Sequence, residues 1–410
     1  MRILFLTQII PYPPNAGPRV KTWNVLRYLA GRGHDVTLVS FVREDELPHV
    51  PVLQEVCTAV HTVPISRSRL ADVGYLLRSN VSGRPFLIER DDLPDMRQLV
   101  RRLLRQNDYD VVHADQLTMT QFALDAPPGG GGKRPLTIFD AHNATWTISD
   151  RLLANLPWFL KPVIRLETAR IKRYEAMLVR RFDHTMVVIE PDRAALMAGL
   201  PAAQRPETAR KISVIPIAVD AAQLQPVRRQ PGSRNILTLG SLNYPPNVDG
   251  IRWFLQEVFP QVQMQLPEVT LTIIGKSPPA DFEQLAAQSD GRIEVTGYVE
   301  DLTPYMERAA LMVVPVRAGS GMRVRLLEAF ARAMPTVTTT IGMEGIEATP
   351  GRELLVADTA ADFAAATLRL LEDAALQARL AENGRVLAET TYDWQVALRK
   401  MDAVYQLVNG

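Results

Sequence analysis

Cysteine is nearly absent from this chain of 410 residues, since Cys57 is its single representative. One cysteine forms neither an intramolecular disulfide nor a cysteine-rich zinc site, and it is typical of a protein in the reducing cytoplasm. The sequence also lacks any apolar run of about 18 residues or more, so we expect no transmembrane helix. Residues 1–8 contain one basic residue and a short apolar run that ends at Gln8, which predicts a first strand and not a signal peptide.

The chain also lacks an excess of charge of either sign, because 46 Lys and Arg residues face 45 Asp and Glu residues. This balance excludes a chain that is basic as a whole, so we expect no nucleic-acid partner. The distribution is nevertheless uneven. Residues 1–230 carry 31 basic and 23 acidic residues (net +8), whereas residues 231–410 carry 15 and 22 (net −7). The asymmetry indicates two domains in different surroundings, with drift in composition as the alternative.

Motifs of three other enzyme classes are missing. The sequence has no Gly-x-x-x-x-Gly-Lys-Ser/Thr loop for nucleoside triphosphates, no Gly-x-Gly-x-x-Gly after the first strand for NAD, and no Gly-x-Ser-x-Gly hydrolase elbow. Asp108 and Asp110 have the spacing of a metal-binding pair, but they precede the apolar run that starts at Val111. Ligands of parallel sheets bind at the opposite ends of the strands, so we expect no metal.

Strand and helix patterns alternate along the chain. An apolar run over 3–7, a proline-rich loop, a helical pattern that ends at Gly31 and Gly33, and an apolar run over 36–41 form one parallel β-α-β unit. Further apolar runs follow at 111–112, 136–139, 186–189 and 212–215, and, after the polar stretch 221–235, at 236–239, 269–274, 293–296 and 311–314. The pattern predicts an α/β protein of two doubly wound domains facing each other across a cleft, with ligands at the carboxyl ends of the strands.

One loop has the composition of an anion-binding site. Residues 318–329 read Ala-Gly-Ser-Gly-Met-Arg-Val-Arg-Leu-Leu-Glu-Ala and follow a predicted strand, with a helix expected to begin near Met322. Backbone N–H groups at a helix start attract anions, and glycines let a phosphate approach the backbone. We assign the following residues to a phosphate- and ribose-binding site: Gly319, Ser320, Gly321, Met322, Arg323, Arg325 and Glu328. The alternative is a tight turn followed by a salt bridge within the helix.

Two other segments lie at predicted carboxyl ends of strands. His142 follows the apolar run 136–139 closely and has Asp140 and Asn143 beside it, so its ring is placed to contact a reacting hydroxyl or a sugar. A structural histidine is the alternative. The loop after the first strand contains the other candidates, which we assign to the acceptor or phosphate side: Asn15, Ala16 and Gly17. Their alternative is a simple turn.

Together these segments resemble the group 1 glycosyltransferases (glycosyltransferase family 4), which have the GT-B fold. The donor-site signature of that family is Glu-x7-Glu, followed by Ala and a helix and then by Gly-x-Pro-Val-Val. Glu328 corresponds to the second Glu and Ser320 stands at the position of the first, while 333–337 read Ala-Met-Pro-Thr-Val. The Gly-Ser-Gly loop ahead of Arg325 resembles an exopolysaccharide-associated subgroup.

Other segments extend the resemblance over nearly the whole chain. Residues 214–220 resemble the family's Val-Ile-Pro-Asn-Gly-Val-Asp linker, and residues 392–394 resemble the start of its last helix. Gly240 and Ser241 match a loop at the donor site, and Gly297 matches the segment beside the nucleobase, so the resemblance adds these three to the donor-binding residues. It implies an acceptor-side Rossmann-like domain over 1–225, a nucleotide-sugar-binding Rossmann-like domain over 226–390, and a helix over 391–410 that crosses back to the first domain.

The resemblance implies a cytoplasmic, retaining, metal-independent hexosyltransferase that needs no cofactor. It would move a sugar from a nucleotide-diphosphate donor to a hydroxyl acceptor in polysaccharide or glycolipid biosynthesis, with a sugar, lipid-linked or glycolipid acceptor. Arg323, Arg325 and the loop backbone would stabilise the leaving diphosphate, and His142 would be the catalytic contact to the donor sugar or the reacting hydroxyl. Two alternatives stay open. One is a nucleotide-sugar epimerase of the same fold, which needs carboxylates near the sugar, and the other is a non-catalytic nucleotide-sugar-binding protein, which the serine at 320 favours.

A basic segment predicts peripheral contact with an anionic membrane, at its inner face. Residues 158–160 read Trp-Phe-Leu, and the stretch 161–181 is rich in Lys and Arg. Four apolar residues recur there at helical spacing, as in an interfacial helix: Ile164, Ile171, Tyr174 and Leu178. The alternative is that this stripe packs on the sheet, which would leave 158–160 as the inserting element.

Overall fold

A computed structural model describes residues 1–124, 132, 134–153, 157–319 and 321–409. The chain forms two compact units, which we call unit 1 (Met1–Ile217 with Ala397–Gly410) and unit 2 (Ala218–Val396). The divisions fall at 217/218 and 396/397, where the boundaries expected from the sequence are 225/226 and 390/391.

Unit 1 is built on a sheet of seven parallel strands. Their order is β3-β2-β1-β4-β5-β6-β7, so the direction of winding reverses between β1 and β4. Doubly wound sheets bind ligands outside the carboxyl ends of the strands at such a reversal. The strands are β1 (Arg2–Thr7), β2 (Asp35–Val42), β3 (Ala59–Pro64), β4 (Val111–Asp115), β5 (Leu136–Ala141), β6 (His184–Val187) and β7 (Ile212–Val214).

Helices connect these strands. They are α1 (Gly17–Gly31), α2 (Val50–Gln54), α3 (Arg69–Ser82), α4 (Phe86–Asp91), α5 (Pro94–Gln106), α6 (Thr120–Ala123), α7 (Thr145–Leu152), α8 (Lys161–Arg181), α9 (Glu190–Ala198) and α10 (Arg205–Ala209). The first crossover shows how the sequence defines a helix. Pro18 lies in the first turn of α1, where its fixed φ suits a helix start. The chain leaves α1 through Gly33, whose φ of +77° is open to glycine at no steric cost.

Unit 2 repeats the architecture with six parallel strands in the order β10-β9-β8-β11-β12-β13. The strands are β8 (Asn235–Leu239), β9 (Thr270–Ile274), β10 (Ile293–Gly297), β11 (Ala309–Val314), β12 (Thr336–Thr338) and β13 (Leu355–Val356). The helices are α11 (Pro245–Trp253), α12 (Phe259–Gln265), α13 (Ala280–Ala287), α14 (Thr303–Arg308), α15 (Val324–Ala331), α16 (Ala360–Glu372) and α17 (Ala374–Leu387). Two parallel sheets with interleaved helices confirm the predicted α/β class and its doubly wound domains.

Each unit has its own apolar core, because a parallel sheet is covered by helices on both faces. In unit 1, the four apolar residues of β1 are wholly buried, and Phe139 of β5 packs on Phe182 with ring centroids 5.9 Å apart. In unit 2, Trp253 and Phe254 both pack on Phe363 of α16. Burial of each such side chain contributes about 1.5–3 kcal/mol.

The last residues of the chain belong to unit 1. Two short helices, α18 (Trp394–Ala397) and α19 (Lys400–Tyr405), stand in place of the single helix expected over 391–410. Tyr28 of α1 donates a hydrogen bond to Asp402 (2.8 Å), and burial together with this carboxylate raises the pKa of Tyr28 to about 12. Asp402 also pairs with Arg32 at 2.9 Å, so α19 is held on α1.

The apolar stripe of α8 faces inward. Ile171 and Leu178 lie in the core of unit 1, and Tyr174 packs against it. The structure therefore supports the alternative given above, in which the stripe packs inside unit 1 and does not face a membrane. Within the described part of the chain, no helix has both the length and the apolarity to cross a bilayer.

Candidate functional site

Polar side chains of unit 1 meet where β1, β4 and β5 end. Asp115, the last residue of β4, is wholly buried and accepts hydrogen bonds from the hydroxyls of Thr7 (2.7 Å) and Thr22 (2.9 Å), both on its Oδ2 atom. Its other oxygen, Oδ1, lies 2.6 Å from Nε2 of His142. His142 follows β5, so three neighbouring strand ends and α1 build this cluster.

The protonation state of this pair follows from its surroundings. Burial alone would raise the pKa of Asp115, but the charge and hydrogen bond of His142, assisted by Lys21, hold it below its usual value. Asp115 is therefore a carboxylate, which only accepts hydrogen bonds. Consequently Nε2–H of His142 donates a hydrogen bond to Oδ1 of Asp115, which leaves Nδ1 as the ring nitrogen that can meet a ligand. This is a carboxylate-oriented imidazole, the arrangement by which proteins fix a histidine tautomer.

A second buried carboxylate balances the cluster. Asp140 forms an ion pair with Lys21, and both side chains are almost fully buried. Burial would raise the pKa of Asp140, but the Lys21 ammonium and the neighbouring His113 lower it well below its usual range. His113 lies 3.4 Å from Asp140 through Nε2 and 2.7 Å from the hydroxyl of Tyr405 through Nδ1.

His113, Asp115 and Asp140 have the proximity of a metal site, since one ligand atom from each lies within 4.8 Å of the others. Most of their oxygen atoms are already engaged. Asp115 accepts from two hydroxyls and an imidazole, and Asp140 faces an ammonium group that a cation would have to displace. Among the described residues, Oδ2 of Asp140 and Nε2 of His113 have no hydrogen-bond partner and face each other at 3.4 Å. The engaged oxygens and the Lys21 ammonium favour a polar network over a divalent cation.

His142 opens onto a cavity of about 220 Å³ within unit 1. Its lining comes from β1, α1, α4, the β4–α6 loop and the start of α7: Gln8, Pro18, Leu87, Arg90, Gln116, Leu117, Thr118, His142, Asn143 and Thr145. Gln116 has φ +73° and ψ 159°, a conformation that costs a residue with a side chain about 1–3 kcal/mol. Strained backbone of this kind clusters at ligand-binding sites. Asn15, Ala16 and Gly17 lie just ahead of Pro18, with the first two exposed.

Three glycines mark the carboxyl ends of neighbouring strands in unit 2. The N–H of Gly240, after β8, donates to the carbonyl of Ile274 (3.0 Å), and the N–H of Gly275, after β9, donates to the carbonyl of Gly297 in β10 (2.8 Å). A Cβ at Gly275 would collide with the Gly240 carbonyl, so no other residue fits there without a shift. The strand ends are thereby kept close and free of side chains, which opens this edge of the sheet to a ligand.

Arg325 connects this edge to α15. Its Nη1 donates to the carbonyl of Leu239 (2.6 Å) and its Nη2 donates to the side-chain oxygen of Asn247 (2.5 Å). A Cβ on Gly240 would collide with the same guanidinium. Burial and the neighbouring Arg323 lower the pKa of Arg325 to about 10, so it stays charged at neutral pH. The guanidinium thus holds the β8 loop and brings a positive charge to the strand end.

The loop before α15 adds a second guanidinium. Gly319 and Gly321 have φ of +105° and +88°, the left-handed region that favours glycine. Nη1 of Arg323 donates to the carbonyl of Gly321 (2.9 Å), and α15 begins one residue later. Met322 is buried, so it offers its backbone and not its side chain. Ser320 lies outside the described residues.

Glu328 lies on α15, one turn beyond Arg325. Burial raises the pKa of the Glu328 carboxyl, and the charges of Arg332 and Arg325 oppose that rise. Ser241 donates to Asn243 (2.6 Å), while its carbonyl accepts from the amide of Asn247 (3.0 Å). Among the described candidates, Gly240 and Glu328 adjoin Arg325, and Gly319 and Gly321 adjoin Arg323.

Comparison with known proteins decides the family. Residues 17–223 match the family described as Glycosyltransferase Family 4, and residues 233–373 match the family described as Glycosyl transferases group 1. The chain belongs to glycosyltransferase family 4. The predicted family is thus confirmed, and this protein is a glycosyltransferase.

Relatives of this glycosyltransferase are distant but span its length. A 44.6 kDa protein of the cps region of Klebsiella pneumoniae is 22% identical over 403 residues, which is 96% of each chain. The phosphatidyl-myo-inositol mannosyltransferase of Mycolicibacterium smegmatis is 22% identical over 93% of this chain and 88% of its own. Among solved structures, Anabaena Alr3699/HepE in complex with UDP-glucose superposes with a TM-score of 0.67 at 13% identity, over 99% of this chain and 100% of the other. These structural likenesses confirm the two-domain GT-B fold.

Several residues of the candidate site were not predicted from the sequence. Asp115 ends a strand in the same way as Asp140, so the strand-end rule that selected His142 would have found it. Lys21 carries no such signal, because it lies on a helix and its partner is 119 residues away. Asn247 and Gly275 follow predicted strands of unit 2, and Gly275 was visible as a glycine at a strand end.

Proposed function

We propose that this glycosyltransferase is a retaining, metal-independent hexosyltransferase that uses a nucleotide-diphosphate sugar and a hydroxyl acceptor in polysaccharide or glycolipid biosynthesis. The observation that carries the donor assignment is the edge of unit 2, where glycine strand ends lie beside the guanidinium groups of Arg323 and Arg325. A leaving diphosphate gains negative charge, and prepositioned guanidinium and N–H groups stabilise such charge. The complex of Anabaena HepE with UDP-glucose supports a nucleotide-sugar donor.

Metal independence is proposed on the same ground. The two arginines supply positive charge where a metal ion would otherwise be required, and in unit 1 Asp115 already accepts from His142 and a hydroxyl while Asp140 pairs with Lys21. Retention of configuration follows from the family resemblance and is the assignment that product analysis must test.

His142 is proposed to contact the donor sugar or the reacting hydroxyl. It lies in a cavity, its Nε2 is held by Asp115 and its Nδ1 is left for a ligand hydroxyl. Asn143 and Thr145 line the same cavity and supply further polar groups that a sugar needs. Asn15, Ala16 and Gly17, which precede the lining residue Pro18, stay assigned to a loop on the acceptor or phosphate side.

The acceptor is proposed to be a sugar, a lipid-linked sugar or a glycolipid at the cytoplasmic face of a membrane. The cps-region relative and the phosphatidylinositol mannosyltransferase support a role in surface polysaccharides or glycolipids. Trp158, Phe159 and Leu160 are exposed beside Lys161, as a peripheral membrane contact requires.

The donor site is tested with nucleotides alone. Thermal shifts with UDP, GDP, ADP and CDP should identify the base, and Arg323→Ala should weaken binding of the selected diphosphate. The matched control is Arg308→Ala, which removes a half-exposed arginine paired with Glu294 at the amino ends of the strands. Equal diphosphate binding by wild type and Arg323→Ala would refute the donor assignment.

The reaction is tested with a panel of nucleotide sugars and lipid-extract acceptors, with metal removed by chelation. A glycosylated product with retained anomeric configuration is expected. An isomerised donor would instead identify an epimerase, and binding without either product would identify a non-catalytic protein. Activity that requires added metal would overturn metal independence alone.

A further inference from the structure

Helix α3 lies on unit 1 with most of its surface uncovered. Of its 14 residues, all of them described, Ser79 alone is buried. Leu70, Val73, Leu77 and Val81 are 86%, 58%, 65% and 91% exposed. At about 100° per residue these four share one face, and Ser79 points to the opposite side. A contiguous apolar face of this kind on a folded protein marks a surface for a partner or a membrane.

A second exposed apolar segment lies at the start of α8. Trp158 and Phe159 are 82% and 60% exposed, and Leu160, Val163 and Leu166 continue this surface. Helices α3 and α8 are in contact, since Arg170 of α8 donates to the hydroxyl of Ser79 (3.2 Å), on the side of α3 away from its apolar face, and to the side-chain oxygen of Asn80 (2.9 Å). We call the exposed face of α3 together with residues 158–166 the apolar platform.

Basic residues accompany the platform. Arg69 and Arg78 extend from α3, and Arg165 and Arg173 extend from α8, all four exposed, and Arg78 also pairs with the buried Glu89 at 2.7 Å. Acidic groups are fewer: Asp72 on α3 and Asp150 on α7, whereas Glu167 faces inward and accepts from the backbone N–H of Phe86 (2.6 Å). A second copy of the chain would bring two such basic surfaces together. An anionic phospholipid bilayer instead complements both the apolar and the basic groups.

The chain connects the platform to elements that line the cavity of His142. Helix α3 leads through Gly83 into α4, whose Leu87 and Arg90 line that cavity. On the other side, α7 begins at Thr145, another lining residue, and the chain then runs to the start of α8. The elements that carry the platform are thus directly connected along the chain to elements that line the cavity.

We propose that the apolar platform docks unit 1 on an anionic phospholipid bilayer, with α3 as the main inserting element. This goes beyond the segment 158–181, because the face of α3 has no counterpart in the sequence pattern identified there. The docking itself depends only on the platform, while the delivery of a lipid-linked acceptor to His142 rests on the proposed function.

The test is flotation of the full chain with vesicles of phosphatidylcholine, with and without phosphatidylglycerol, at low and high salt. Wild type should float with the anionic vesicles at low salt and less so at high salt, because the basic groups are screened while the apolar groups are not. The double variant Leu77→Asp/Val81→Asp should lower the bound fraction about tenfold or more, since it places charge on the inserting face. Met264→Asp is the matched control, because Met264 is 82% exposed and lies on α12 of unit 2.

Three outcomes would overturn the proposal: no flotation of wild type at low salt, equal flotation of the double variant, or an equal loss with Met264→Asp. Sedimentation velocity without vesicles tests whether a second copy of the chain covers the platform instead. A dimer of the wild type that is lost in the double variant would assign the platform to that second copy. Nucleotide thermal shifts with the same proteins separate the two proposals. Flotation without any nucleotide shift would leave the docking standing and remove the proposed donor, whereas a shift without flotation would do the reverse.

Discussion

Replacement of Asp115 by Asn should change the reaction without changing donor binding. The carboxylate has two oxygens with different tasks, because Oδ2 accepts from Thr7 and Thr22 while Oδ1 accepts from Nε2 of His142. Both threonine hydroxyls donate and therefore need an acceptor. The side-chain oxygen of Asn should consequently take the position of Oδ2 and accept from them. The amide nitrogen then faces Nε2 and donates to it. His142 must accept there and carry its proton on Nδ1, which reverses the polarity that the ring presents to the cavity.

The expected loss is that of one hydrogen bond to a charged group, about 1.5–3 kcal/mol. In the transition state this corresponds to a fall in kcat of roughly 10- to 150-fold. The Kd of the nucleotide diphosphate should stay within about twofold, because the assigned donor site lies in unit 2. Steady-state kinetics and nucleotide titration measure the two quantities separately. Thr22→Val is the matched control, since it removes one hydroxyl donor to the other oxygen of the same carboxylate and leaves Nε2 of His142 facing Oδ1.

His142→Ala should lower kcat at least as far as Asp115→Asn, and the double variant should lose little more, because the two residues act as one unit. If Asp115→Asn keeps a kcat within about threefold of wild type while its melting temperature falls, the pair is a structural contact and the reasoning is wrong. A parallel rise in the nucleotide Kd would also refute it, since a fold-wide disturbance would then account for the loss.

Three further outcomes follow from the geometry. Arg325→Ala should weaken nucleotide-diphosphate binding by about 1–3 kcal/mol. Arg325→Lys keeps the charge but loses the paired contacts to Leu239 and Asn247, so nucleotide titration should show binding between that of Arg325→Ala and that of wild type. Gly240→Ala should reproduce the Arg325→Ala phenotype, because its Cβ would displace the guanidinium; unchanged binding would contradict the fit. Burial raises the pKa of Glu175 to about 7, so its contribution to the free energy of unfolding is fully present below its unfolded pKa of 4.5 and is lost as pH rises through 7. In denaturant titrations from pH 5 to 8, the free energy of unfolding of Glu175→Gln should fall by about 3 kcal/mol less than that of wild type. An equal fall for both proteins would refute this assignment.

The order of strands and helices was predictable because it depends on local patterns. Apolar runs such as 3–7 and 311–314 are strands wherever they pack, and glycines such as Gly33 and Gly319 mark turns through their own backbone freedom. The family signature around Glu328 is likewise contiguous in the chain. These features do not require knowledge of which strands are neighbours.

The pairings at the site were settled by the tertiary structure alone. Lys21 meets Asp140, and Asp115 meets His142, because β4 inserts between β1 and β5 in the sheet, and no local pattern encodes that order. The tertiary structure also decided which of two apolar helix faces in unit 1 is exposed. The stripe of α8, for which the sequence suggested membrane contact, is buried, while the face of α3 is exposed. An apolar stripe on a helix becomes a buried side only when a neighbouring layer covers it.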